Sequence, residues 1–357
     1  MRRVLITVSG TIPDDLDDAI EAGHRPRADY VELARALDAD LLDHATARRE
    51  TGRLGRLIDR VLGRDVLLAY ACIRRHRRYD RILTDGEQVG LPYAALARLI
   101  PGRRPTHSMI VHILSVPKKV AVWRVLRLGG RIDQLLVYAT AQERFAVEEL
   151  RVPADRVVRI SFMVDTAFFA PERVAATARP RPLLCTAGLE FRDYETLLAA
   201  VDGLDTDVLI AAASPWSKRA SSVDDRPLPP NVEVTKLNLV ELRQAYADAA
   251  LVVLPLQDVR FQAGITTLLE AMAMGRPIVC TRTEGQTDAI ADGRTGVYVP
   301  PADPAAMRAA IDRLLADTAT AARLGAAARA WACEVADIEV YAHHLASIIG
   351  NASRARR

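Results

Sequence analysis

The stretch Phe261-Gln262-Ala263-Gly264-Ile265-Thr266-Thr267-Leu268-Leu269-Glu270-Ala271-Met272-Ala273-Met274-Gly275-Arg276-Pro277 gathers groups that can hold an anion and a pair of hydroxyls. It follows the apolar run 251–255 and opens a helical pattern. Gly264 permits close backbone approach. The N–H groups of Ile265 and the residues after it lack partners inside a helix. With the hydroxyls of Thr266 and Thr267 they make an anion site that the helix dipole favours. Glu270 lies one turn further in, where a carboxylate can accept two hydrogen bonds from vicinal hydroxyls such as those of a ribose. Gly275 then stops the helix and Pro277 leads into the next strand. Elsewhere, Glu87 in Thr84-Asp85-Gly86-Glu87-Gln88 follows another strand pattern. Its carboxylate is placed to bind or deprotonate an acceptor hydroxyl, while Asp85 can cap the next helix.

Ligands of open α/β sheets sit beyond the carboxyl ends of the strands, so these groups require parallel sheets behind them. The chain supplies the pattern. β-like runs at 4–8, 39–42, 80–84, 108–111, 132–138 and 157–160 alternate with helical stretches at 28–37, 53–64, 66–76 and 141–150. Residues 171–182 are rich in Ala, Arg and Pro without a period and read as an interdomain linker. A second series follows, with strands at 183–186, 208–211, 232–234, 251–255 and 278–281 and helices at 193–201, 239–249, 265–274, 305–315 and 338–349. Residues 213–230 read as a loop. A length of 357 residues suits two domains. The expected bounds are 1–175, 176–335, and a last helix, 336–357, returning toward the first domain.

These blocks resemble the retaining family-4 glycosyltransferases of the GT-B fold. The resemblance rests on Leu269-Glu270-Ala271-Met272-Ala273-Met274-Gly275-Arg276-Pro277, on Glu284-Gly285-Gln286 through Gly296, on Val299-Pro300-Pro301-Ala302-Asp303, and on Val164-Asp165 with Phe168-Phe169-Ala170-Pro171. It implies an α/β GT-B chain: two Rossmann-like domains with parallel sheets facing a central cleft. The implied activity is metal-independent transfer of a hexose-like sugar from a nucleoside diphosphate sugar to a small-molecule, glycan or lipid acceptor. The anomeric configuration would be retained and no cofactor used. Carried onto this chain, the family's first Glu of its Glu-x7-Glu pair is Gln262, which brings no negative charge, and its donor-sugar His is His112. Arg192 takes the place of the diphosphate Lys. The diphosphate Arg has no counterpart, and Lys218 is the best replacement cation. Gly10-Thr11 stands for the Gly-Gly loop after the first strand. The departures motivate an alternative: a catalytically weak or inactive GT-B protein that binds nucleotide sugar. Asp38-Ala39-Asp40 and Asp205-Thr206-Asp207 read as surface turns rather than metal sites.

Charge and hydropathy narrow the classes. Half of the chain is apolar and the net charge is only +3, which argues against a nucleic-acid binder. The charge is uneven: residues 48–131 hold 19 Lys+Arg against 6 Asp+Glu. Such a basic face can attract an anionic acceptor or lipid. The apolar stripe Leu54, Leu57, Ile58, Val61 and Leu62, opposite Arg53, Arg56, Arg60 and Arg64, marks an amphipathic helix. Helix 53–64 and stretch 118–128 either dock on a membrane or face the core, and the core is the favoured reading. The four cysteines are far apart and read as core thiols of a reducing compartment. The start reads as a strand rather than a signal peptide, so the expected location is cytoplasmic, at most peripheral to the inner face of the membrane.

Overall fold

The computed structural model describes residues 3–102, 104–212 and 228–351. The chain divides into two compact units. One comprises residues up to 18, 28–161 and the chain from Tyr341 onward, and the other 19–27 and 162–340.

The first unit is built on the strands β1 (Val4–Thr7), β2 (Ala39–Leu42), β3 (Arg81–Thr84), β4 (Thr106–Val111), β5 (Gln134–Val137) and β6 (Val157–Arg159). They form one parallel sheet in the order β2-β1-β3-β4-β5-β6. The second unit repeats the plan with β7 (Leu183–Ala187), β8 (Asp207–Ala211), β9 (Val232–Thr235), β10 (Leu251–Leu254), β11 (Ile278–Thr281) and β12 (Val297–Val299), ordered β12-β11-β10-β7-β8-β9. Parallel strands covered on both faces read as unbroken apolar runs, and β1, β10 and β11 are buried at every position. Alternate residues still serve opposite faces. Val252 and Leu254 of β10 pack with Tyr246 and helix Ile265–Ala273, while Leu251 and Val253 pack with helices Tyr194–Val201 and Pro304–Ala316.

The strand orders fix where ligands can sit. The order reverses between β1 and β3 in the first unit and between β7 and β10 in the second. Such a reversal opens a crevice at the carboxyl ends of the two strands, the usual ligand position in this architecture.

Several local expectations are corrected. Asp40 and Asp207 lie in β2 and β8 rather than in turns. Asp40 accepts from the Tyr79 hydroxyl, and Asp207 pairs with Arg179 and Arg181. Cys72, Cys185 and Cys280 are buried, but Cys333, in a π turn Ala332–Ala336, is exposed. Helix His44–Leu62 begins earlier than its apolar period suggests, with a non-helical break at Gly52. It packs through its small residues. Ala47, Thr51 and Gly55 are buried, and the missing side chain of Gly55 lets Leu67 of the next helix approach. Leu54, Leu57, Val61 and Leu62 are therefore left exposed, at 52%, 58%, 67% and 62%. The favoured core reading of this stripe holds only for Ile58, which packs against the cluster of Leu67 and Leu68, and is overturned for the other four, because the small stripe occupies the packed face. In stretch 118–128 the outcome is mixed: Trp123 and Leu128 are buried, while Val122 and Val125 are exposed. No helix among the described residues is long and apolar enough to cross a membrane.

Candidate functional site

In the second unit, the crevice between β7 and β10 is lined by the turn after β7 and the start of helix Ile265–Ala273. Gly188 and Gly264 adopt left-handed backbone, with φ of +97° and +72°. Both approach the guanidinium of Arg192: a Cβ on Gly188 would overlap it, and one on Gly264 would press on it. Arg192 is only 7% exposed. Its Nε donates to Ala187 O at 2.9 Å, Nη1 to Glu190 O at 2.9 Å and Nη2 to Thr267 Oγ1 at 3.2 Å. None of the described salt bridges includes Arg192. Burial pulls its pKa below the usual arginine value, opposed by Tyr194, Tyr246, Cys280 and Glu270. A buried cation without a contacting carboxylate is expensive, and an anion arriving at the crevice would offset that expense.

Helix Ile265–Ala273 starts at Gly264 with no side chain capping its first N–H groups. Thr266 is exposed beside them, and Ile265 is buried. Thr267 is also buried and occupied, since its hydroxyl donates to Ala187 O at 3.3 Å while accepting from Arg192. It braces Arg192 rather than facing a ligand. Glu270 is buried, and the Tyr246 hydroxyl donates to its Oε2 at 2.9 Å. Burial pushes the Glu270 carboxyl up to about 7, against the Tyr246 hydrogen bond and the Arg192 charge. One carboxylate oxygen is thus already engaged. Gln262 is half-buried, and its side-chain oxygen is secluded without a hydrogen-bond partner. A secluded acceptor of that kind is ready for a ligand donor. The loop carrying Gln262 is held by the loop after β11. Gly285 N donates to Val259 O at 3.0 Å, Gln286 Nε2 to Ala263 O at 3.1 Å, and Arg260 pairs with Glu284 at 3.1 Å. Lys218 lies outside the described residues.

In the first unit, the ends of β3 and β4 bring Asp85 and His112 together, with His112 Nε2 at 3.4 Å from Asp85 Oδ1. Asp85 does not cap the following helix, whose N-cap is Gly86. The half-buried His112 ring lies 5.7 Å from that of Tyr138. Burial alone would lower the His112 pKa. Hydrogen bonding to Asp85, the Asp85 charge, and then Glu87 and Asp29, raise it instead. Asp29, first residue of helix Asp29–Leu37, completes the cluster. Burial and the charge of Asp85 push its carboxyl up to about 6, against backbone hydrogen bonds and His112. Asp29 and Tyr138 were not singled out from the sequence. A lone Asp in a first helical turn reads as a dipole-compensating charge, and only the fold brings it to His112.

Glu87 differs from expectation. It is 1% exposed, and its carboxylate accepts from His112 N at 2.9 Å, Ile113 N at 3.1 Å and Lys119 Nζ at 2.5 Å. Burial would raise its pKa, but Lys119 and the His112 amide hold it low. A carboxylate so engaged is not available to an acceptor hydroxyl. After β1, His44 N donates to Gly10 O at 3.0 Å and Thr11 is exposed, while a Cβ on Gly10 would meet nothing. That glycine leaves open space at the strand end. Among the described residues, no cluster of three or more His, Cys, Asp or Glu side chains is arranged for a metal.

A family model described as Glycosyl transferases group 1 matches residues 183–317, the stretch that forms the Arg192–Glu270 crevice. Residues 183–317 are thus similar to a group 1 glycosyltransferase domain. Over 285 residues this chain is 26% identical to the GDP-mannose-dependent alpha-(1-6)-phosphatidylinositol monomannoside mannosyltransferase of Mycolicibacterium smegmatis, covering 73% of this chain and 74% of that one. Among solved structures, the sucrose-phosphate synthase of Thermosynechococcus elongatus superposes with a TM-score of 0.75 at 18% identity, covering 99% of this chain and 100% of that one. The Anabaena protein HepE, solved with UDP-glucose, gives 0.70 at 15% identity, covering 98% and 99%. The fold of this chain is GT-B, with two parallel six-stranded sheets.

Proposed function

We propose that this glycosyltransferase moves a sugar from a nucleoside diphosphate sugar to an acceptor nucleophile with retention of anomeric configuration. The observation that carries the donor is Arg192, a buried cation outside any described salt bridge, under Gly188 and Gly264 at the β7/β10 crevice. In the reaction a bond forms from acceptor to anomeric carbon and the bond to the diphosphate breaks. The electron pair and negative charge go to the leaving diphosphate, whose departing oxygen takes up the proton of the acceptor. Arg192 and the uncapped helix start at Gly264 are preorganised to stabilise that charge. The free side of Glu270 takes nucleoside hydroxyls, Gln262 meets the sugar, and His112 is the candidate catalytic residue of the first unit. Retention rests on the resemblance in the motif from Glu270 to Pro277. The relative named for GDP-mannose and the fold neighbour solved with UDP-glucose both favour a nucleoside diphosphate sugar.

We also place the enzyme in the cytoplasm, touching an anionic bilayer with helix His44–Leu62. There Leu54, Leu57 and Val61 are exposed, and so are Arg53, Arg56 and Arg60 of the same helix. A lipid acceptor fits that placement.

A thermal-shift panel of UDP-, GDP-, ADP- and TDP-sugars tests the donor reading. At 100 times its dissociation constant a ligand adds about 2.7 kcal/mol of stability. One nucleotide series is expected to raise the Tm, and Glu270→Ala is expected to abolish the rise. A panel in which no nucleotide sugar moves the Tm would overturn the proposal.

A further inference from the structure

The backbone at the end of β4 is held in an unusual way. His112 and Ile113 present four main-chain polar groups, and a side chain bonds each one. His112 N donates to Glu87 Oε2 at 2.9 Å and Ile113 N to Glu87 Oε1 at 3.1 Å. Lys119 Nζ donates to Ile113 O at 2.9 Å and to Glu87 Oε1 at 2.5 Å. Gln142 Nε2 donates to His112 O at 2.6 Å. The three side chains come from three separate helices, Glu87–Ala97, Pro117–Val125 and Thr140–Arg144. Gln142 reaches one step further. Its Oε1 accepts from Tyr138 N at 2.9 Å and Ala139 N at 3.2 Å, so one amide ties the end of β4 to the end of β5.

Ordinary loops satisfy their backbone with water or with neighbouring main chain. Here a buried carboxylate, paired with a half-buried ammonium, does so. Taking that carboxylate out of water is costly before its partners offset it, so the pair is weak evidence for stability. Holding one side chain in one place is the use that the geometry supports. The dipeptide is the base of the His112 side chain, and Gln142 fixes Tyr138, whose ring lies 5.7 Å from the imidazole.

We infer that Glu87, Lys119 and Gln142 are positioning residues that clamp the His112–Ile113 backbone and so fix the His112 imidazole against Asp85 and Tyr138. The catalytic consequence rests on the proposed role of His112, whereas the clamp itself does not. Lys119 belongs to this clamp and not to a membrane-facing surface.

The test uses the full chain labelled with 15N-histidine, with Glu87→Gln, Gln142→Ala and Lys119→Met set against the conservative Lys119→Arg. Two signals are read: amide exchange at His112 and the titration of its ring. The charged and titratable groups around the ring are Asp85, Glu87, Asp29, Tyr138 and Lys119. In the wild type the amide is expected to be protected and the ring midpoint to lie above that of a free histidine. Glu87→Gln should speed amide exchange at least about 10-fold and lower the ring midpoint, since a carboxylate that favours imidazolium is lost. Lys119→Arg should retain more protection than Lys119→Met. Release of UDP from UDP-glucose and of GDP from GDP-mannose supplies the kinetic readout. Misplacing a catalytic group by about 1 Å can cost on the order of 100-fold, expected here in kcat with the donor KM nearly unchanged. Unchanged protection and ring titration in both Glu87→Gln and Gln142→Ala would overturn the inference. So would faster exchange that left the ring and kcat as in the wild type. If neither donor is turned over by the wild type, the NMR signals alone decide the clamp, and it is the proposed reaction that fails. Should Glu87→Gln not fold, Gln142→Ala and the Lys119 pair carry the same readouts.

Discussion

Tyr246 donates a 2.9 Å hydrogen bond to the buried carboxylate of Glu270, joining helix Leu239–Asp248 to the helix that opens at Gly264. The bond does not offset the burial of the acid, whose pKa stays raised to about 7 from an ordinary 4.5. A folded carboxyl raised above its unfolded value binds more protons folded than unfolded. Stability from this group is therefore present below pH 4.5 and declines as pH rises to about 7. The shift corresponds to roughly 3 kcal/mol at one pKa unit per 1.36 kcal/mol. Glu270→Gln should raise the Tm of the ligand-free protein at pH 8 and leave it nearly unchanged at pH 4.5, as melts at the two values would show. An equal effect at both would mean that the carboxyl is not held neutral by burial.

Arg192 gives the opposite pairing of stability and binding. Its guanidinium bonds two carbonyls and a hydroxyl, so Arg192→Met loses three hydrogen bonds while removing a buried charge. These effects oppose each other, at about 1 kcal/mol per ordinary bond against a desolvation penalty of several. The expected change in ligand-free stability is small, within about 2 kcal/mol, whereas the Tm rise given by nucleoside diphosphates should disappear. Lys at this position has no fork to span Ala187 O, Glu190 O and Thr267, so Arg192→Lys should not restore it. Isothermal titration with UDP and GDP reads the second effect, and full binding by Arg192→Met would remove Arg192 from the anion site.

Gly285 lies against the backbone of Phe261, and a Cβ there would overlap the Phe261 N, C and O atoms. Backbone on both sides leaves no side chain to yield. Gly285→Ala should separate the two loops that Gly285 N and Gln286 Nε2 hold together and displace Gln262. The expected loss is about 1–3 kcal/mol of stability, the usual range for overpacking. Donor KM should rise as well, because the Ala263–Gly264 turn that opens the helix is released. Gly293→Ala is the control. Gly293 has positive φ but open space around it, so strain there should lower stability without touching donor binding.

What could be read before folding was local. The anion-ready helix start at Gly264, the acid at Glu270 and the parallel strands all follow from spacing within one element. Relations set by tertiary approach were not legible. Arg192 was expected at the diphosphate, but its burial was not legible: its partners Ala187 O, Glu190 O and Thr267 Oγ1, and the close approach of the left-handed Gly188 and Gly264, come together only in the fold. Glu87 looked free because its three donors, His112 N, Ile113 N and Lys119 Nζ, lie far along the chain. Helix Thr318–Trp331 has only a weak apolar period, since Ala321, Gly325 and Ala328 join Leu324 on its packed face. There Gly325 sits against the backbone of Gly275.

Helix His44–Leu62 shows the same limit most clearly, and it yields the last prediction. Its period of 3.6 was visible, but periodicity says that a helix has two faces, not which one is covered. The small stripe Ala47, Thr51 and Gly55 packs inward, leaving Leu54, Leu57 and Val61 to solvent next to Arg53, Arg56 and Arg60. An interfacial helix binds an anionic bilayer through both terms: buried apolar area, and roughly 1 kcal/mol for each basic residue near the surface. Replacing Leu54, Leu57 and Val61 together by Ser should leave the stability within about 1 kcal/mol of the wild type, because these side chains already face water. The same variant should lose sedimentation with vesicles containing phosphatidylserine. Binding by the wild type should weaken from 50 to 300 mM salt, as charge contacts between exposed groups are screened. A variant that melted far below the wild type would show that the stripe is packed after all. Wild-type protein that ignored anionic vesicles at low salt would sink the membrane reading while leaving the donor site untouched.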